Sequence, residues 1–227
     1  GGVVFLLALG AGLVFFNTGA SGNLVLRLQG AVPLSPGDAP ELARLVEILS
    51  RRAGLPFQPR LFLSPTPSVT AFAVGPRNDP AIGVTKGLLR MLGARELAGV
   101  LAHEVSHIQR NDVRVMGLAA MLAQATHSMA IIGQFLLVLN LPLLLMGQVT
   151  VSWDAILLLL LAPGLSGLLQ LALSRTREYE ADLGAVRITG DPRGLASALA
   201  SLERTNRRFL AGVFSPISTL PVPPILR

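Results

Sequence analysis

Three stretches of the chain carry no charged side chain: residues 1–16 (GGVVFLLALGAGLVFF), 115–153 and 155–174. A bilayer is crossed by about 20 apolar residues in helical form, and the core helices of soluble proteins seldom run so long without a charge. The pattern therefore predicts a truncated transmembrane helix over 1–16 and a transmembrane hairpin over 115–174. The hairpin's spans fall at 117–139 and 155–174, the second kinked at Pro163-Gly164. Residues 1–16 lack the basic flank and small-residue cleavage site of a signal peptide. Because the chain starts at Gly1, it is expected to be a fragment that begins inside or just before a membrane helix.

The intervening regions, 17–114 and 175–227, show the patterns of a water-soluble domain. Residues 35–54 (SPGDAPELARLVEILSRRAG) read as an amphipathic helix with Asp38 as N-cap, Glu41 completing a capping box and Gly54 ending it. Three runs bounded by Pro, Gly, Asn and Asp read as strands of a small sheet: RLFLS (60–64), VTAFAVG (69–75) and AIGVT (81–85). KGLLRML (86–92) reads as a short helix that Gly93 stops. From Ala94 the apolar positions Leu97, Val100, Leu101, Val105 and Ile108 share one helical face, on a helix expected to continue into the membrane. The fold class is a mainly α membrane protein with a small α+β cytoplasmic domain, split by the hairpin into parts at 17–114 and 175–227.

Charge placement orients this arrangement. Residues 17–114 hold eleven of the 19 Lys and Arg residues and 175–227 the other eight, whereas residues 140–153 hold none. The positive-inside tendency puts both polar regions on the cytoplasmic side of the cell membrane, with Trp153 anchoring the opposite interface. The net charge of +6 does not signal nucleic acid, because the basic residues are scattered and one Tyr and one Trp leave little for base stacking. Contact with anionic lipid explains it better.

The chain has no cysteine and three histidines, two of them in "HEVSH" at 103–107. Any zinc must then be held by imidazole and carboxylate. On a helix, His103 and His107 share a face one turn apart and can aim ring nitrogens at one ion, while Glu104 reaches a water beside it. Such a water can attack a carbonyl carbon as the carboxylate takes its proton. A catalytic site needs a third ligand. His127 is too far along a continuous helix, some 30 Å from His107, and reads as a neutral interhelical residue. In SRTREYEAD (174–182), Glu178 and Asp182 share a face that can supply a ligand and a partner for a ligating histidine.

"VTAFAVG", "GLLRMLGARELAGVLAHEVSHIQRND" and "SRTREYEADLGAV", spread with gaps from about residue 36 to 210, together resemble the HtpX-like family of integral-membrane zinc metalloproteases, which are of gluzincin type and distantly related to the type I CAAX prenyl protease. The resemblance implies one Zn2+ per chain held by His103, His107 and Glu178, with Glu104 as general base and Asp182 orienting a ligating histidine. It implies an edge strand (Thr70, Ala71, Phe72, Ala73) onto which a polypeptide substrate adds, Thr70 standing where relatives often carry Asn. It also implies that the substrates are misfolded or unassembled membrane proteins. Related chains continue past the equivalent of "LPVPPILR" into a segment with His-Pro and Arg at the cleft, so an oxyanion-stabilising group is expected beyond Arg227. Two other readings compete. A scaffold or chaperone-like binder with structural zinc would need four protein ligands where three are evident, and a transporter would need a charged residue within the spans.

Overall fold

The computed structural model describes residues 26–148 and 152–214. The helix expected over 1–16 lies outside the described residues, as does "LPVPPILR". In chain order the elements are β1 (Val32–Pro33), α1 (Pro40–Arg52), β2 (Arg60–Ser64), β3 (Ala71–Val74), β4 (Ala81–Thr85), α2 (Lys86–Met91), α3 (Ala94–Arg110), α4 (Asp112–Leu139), α5 (Leu141–Leu145), α6 (Trp153–Thr189) and α7 (Pro192–Phe214). Most of the described chain is helical, beside one small sheet.

The four strands are ordered β1-β2-β4-β3, with β2 and β4 parallel and the outer pairs antiparallel. β3 is therefore an edge strand. Gly83 of β4 lies under the ring of Phe72 on β3, which a Cβ there would push aside. Thr85 ends β4 and caps α2, its hydroxyl accepting from the Leu88 N–H at 3.3 Å.

α3 is the central element. Leu101, Ala102 and Val105 are wholly buried against Val46 and Leu49 of α1, Ile82 and Val84 of β4, Ala185 of α6 and Ala198 of α7. Truncating Leu101 to alanine there costs about 2–5 kcal/mol. Small residues let α6 cross α3 closely: Ala181, Gly184 and Ala185 are all buried, and Gly184 lies against the Ser106 side chain.

α4 and α6 are long and apolar enough to cross a membrane, with mean hydropathies of 1.5 and 2.2 over their most apolar windows. Leu122, Phe135, Leu139, Leu157 and Leu168 on them are exposed, far more apolar surface than a water-soluble monomer usually presents. At 1.5 Å per residue, the 37 residues of α6 span roughly 55 Å, against about 30 Å of hydrocarbon. One helix thus has length for a crossing and for the segment from Glu178 to Ile188 that packs on α3. It runs unbroken through Pro163.

Several expected details differ. α1 starts at Pro40, with Ala39 in the cap position, because proline suits the first helical turn and the Asp38 carboxylate is engaged by the Ser35 N–H at 3.1 Å. α3 does not run on into the membrane helix: Asn111 adopts a left-handed conformation (φ 59°), tolerated by asparagine, and α4 begins anew at Asp112. His127, expected between helices, is exposed on α4.

Candidate metal centre

The face of α3 turned toward α6 carries His103 and His107 one turn apart, their Nε2 atoms 3.1 Å from each other. Each ring is oriented by a carboxylate on its other nitrogen. His103 Nδ1 donates to Asp182 Oδ1 at 2.9 Å, and His107 Nδ1 donates to Asp112 Oδ2 at 2.9 Å. With each Nδ1 donating to a carboxylate, the two Nε2 atoms face each other and are placed to ligate a shared cation.

Glu178 completes the group from α6. Its Oε2 lies 3.3 Å from His103 Nε2 and its Oε1 4.0 Å from His107 Nε2. One donor atom from each of the three residues falls within 4.8 Å of the others. Neighbouring donors of a tetrahedral zinc site with bonds of about 2.0–2.2 Å lie roughly 3.3–3.5 Å apart. The three residues therefore fit zinc in both chemistry and spacing, and leave a fourth position without a protein donor among the described residues.

Glu104 lies half-buried beside them, close to the backbone of Ala73 on β3. Burial pushes its carboxyl above the usual carboxylate range, opposed by the positive charge available to His103 and His107 and by the Ala73 N–H, and assisted by the negative charge of Glu178. The orientation of β3 follows from its pairing. The Thr85 N–H donates to the Thr70 carbonyl at 3.1 Å, so by antiparallel alternation Thr70, Phe72 and Val74 turn their peptide groups toward β4 while Ala71 and Ala73 turn theirs to the open edge.

The sequence matches the profile of peptidase family M48 over residues 36–221. The chain belongs to this family. Curated relatives named "Protease HtpX homolog" include those of Acaryochloris marina (40% identical, covering 96% of this chain and 75% of the relative), Paraburkholderia phytofirmans (38%; 89% and 70%) and Desulfatibacillum aliphaticivorans (37%; 88% and 65%). M48 membership makes the chain a metalloprotease, a hydrolase of the class in which zinc is typical. Its similarity to HtpX homologues supports a membrane-associated enzyme, and two helices long and apolar enough to cross a membrane fit that.

Within this M48 chain, two residues that the spacing argument passed over bind the site together. Asp112 is buried, with 5% of its side chain exposed, and joins His107 to the Arg177 guanidinium of α6, whose Nη1 donates at 2.6 Å. In a continuous helix Asp112, five positions after His107, would point about 140° away. The break at Asn111 swings it back. Arg110 pairs with Glu180, a second ion pair between the same helices. The signal for Asp112 was the acid immediately after an asparagine able to turn the chain.

Proposed function

We propose that this chain is a membrane-embedded, zinc-dependent endopeptidase with Glu104 as general base. The observation that carries this reading is the convergence of His103, His107 and Glu178 on one point, with Glu104 on the same turn of α3. Bound zinc would supply Lewis-acid polarisation of the scissile carbonyl and lower the pKa of the attacking water.

The chain's own groups do the remainder. Asp182 and Asp112 fix both imidazole tautomers so that Nε2 faces the metal. Glu104 accepts the proton of the attacking water and returns it to the leaving amine. The peptide groups of Ala71 and Ala73 at the open edge of β3 supply hydrogen bonds for an extended substrate, whose backbone adds as a further strand.

The substrate class proposed is misfolded or unassembled membrane proteins. It rests on the resemblance to HtpX-like proteases and on a site built where α4 and α6 meet the soluble domain. A multi-pass arrangement with the active site on the cytoplasmic face of the cell membrane rests on the distribution of Lys and Arg along the chain. The test is digestion of an unfolded protein by the purified, zinc-loaded chain in detergent. Glu104→Gln is expected to lower the rate by about 10²–10⁴-fold while zinc stays bound. Equal digestion by both proteins refutes the reading.

A further inference from the structure

α4 packs on α6 through small residues. Ala130 is buried, and a Cβ at Gly133 would meet Leu159. The exposed side of α4 is not wholly apolar: Gln124 and His127 stand there about one turn apart, with no hydrogen-bond partner among the described residues. Counted from Val115, where the charge-free stretch begins, they lie about 14 and 18 Å along a hydrocarbon core of about 30 Å, on either side of its midplane. A polar side chain at that depth is costly unless another group bonds to it.

The neighbouring positions extend this face. Ala120, Gln124, His127, Ile131 and Val138 are exposed and Gln134 is half-buried, spaced alternately by four and three residues. A repeat of 3.5 residues keeps such a stripe in contact along a left-handed pair of helices. α6 leaves Gln124 and His127 uncovered. Residues 1–16, the remaining charge-free stretch, cannot satisfy them with side chains, because none there can hydrogen-bond.

We propose that this face of α4 pairs with the same face of a second copy of the chain, forming a dimer inside the membrane. The proposal rests on the membrane reading and adds a partner to it. A carboxamide and an uncharged imidazole each carry a donor and an acceptor, so Gln124 and His127 are self-complementary. In a two-fold pair, Gln124 of each copy bonds His127 of the other. Copies inserted in one membrane share an orientation, so their α4 helices run parallel and the seven-residue repeat stays in register. The small side chain of Ala120 lets the backbones approach at the end nearer the metal centre.

The chain has no cysteine, so single cysteines report the contact directly. Ile131→Cys and Leu136→Cys are each oxidised in native membranes and read as disulfide-linked dimer on a non-reducing gel. Both positions are exposed, and Leu136 points about 140° away from Ile131 around the helix. Ile131→Cys is expected to give at least about 10-fold more dimer than Leu136→Cys, and adding Gln124→Leu with His127→Leu should lower that yield by about 10-fold. Equal yields at the two positions, an undiminished yield in the leucine variant, or capture of another polypeptide in place of a second copy each overturn the proposal. So does the absence of any dimer from Ile131→Cys in a chain that sediments with the membranes, which leaves the membrane reading standing. A chain that does not sediment with the membranes overturns both. Ile131→Cys in the otherwise unaltered chain decides the matter even where the leucine variant fails to fold.

Discussion

Asp112 shows how one residue can carry two positions of the site at once. Its carboxylate accepts from His107 Nδ1 and from Arg177, and it is nearly inaccessible to solvent. Removing its charge leaves the Arg177 guanidinium with one fewer partner and His107 without a strong acceptor to fix its tautomer. Asp112→Asn is therefore expected to weaken zinc binding by about 10–100-fold, measured by competition with a chelator. Unchanged affinity would remove Asp112 from the site's support. "HEVSH" was legible as a candidate metal motif because imidazoles at i and i+4 share a helical face, and both do face Glu178 in the structure. Asp112 was not, because its contact depends on a local break in the helix, and no Gly or Pro announces the turn at Asn111.

The relevant feature among the elements is the seam where α3 and α6 cross. Gly184 lies against the Ser106 side chain, and the buried Ser106 hydroxyl has no hydrogen-bond partner among the described residues. Gly184→Ala puts a methyl group onto Ser106 and is expected to cost about 1–3 kcal/mol in a denaturant titration. Ser106→Ala, which deletes an unpaired hydroxyl, should be neutral or stabilising. Their double-mutant cycle should show coupling, and strict additivity would mean that the two residues do not press on each other.

A second junction ties α7 to α3. Asp191 accepts from the Gly194 N–H at 3.0 Å, as an N-cap before Pro192, and pairs with Arg95. Glu96 accepts from Ser197 and from the Gly93 N–H. The Arg95 hydrogen bond holds Asp191 down at about 2, and the Ser197 hydroxyl lowers Glu96. Both folded-state values are depressed, so their stabilisation is present above the unfolded carboxylate pKa and disappears as pH falls through the folded value. Between pH about 4 and about 2, α7 should lose protection in hydrogen exchange, and Asp191→Asn should remove part of that pH dependence. A pH-independent α7 would contradict the assignment. The Gly190-Asp191-Pro192 triplet carries the stop, cap and start of these helices in plain sequence. The strands RLFLS and AIGVT were equally legible from their turn residues, whereas the two-residue β1 is too short to leave a pattern.

Across the whole molecule, α6 carries a stretch apolar enough to cross a membrane and the Glu178 of the candidate metal centre on a single helix. Hydropathy alone marks its first half as a crossing and its charged second half as a separate segment. The two halves form one helix, whose second half packs Ala181, Gly184 and Ala185 on α3, a contact that periodicity in one strip of sequence does not reveal. The centre is shared between α3 and α6, so it forms only when Glu178 is brought to His103 and His107 from some seventy positions away. The most direct measurement is the equilibrium zinc affinity of Glu178→Ala against wild type, by chelator competition in detergent with stoichiometry from metal analysis. The expected result is about one zinc per chain in wild type and an affinity loss of more than about 100-fold in the variant. Wild-type affinity in Glu178→Ala would contradict the account.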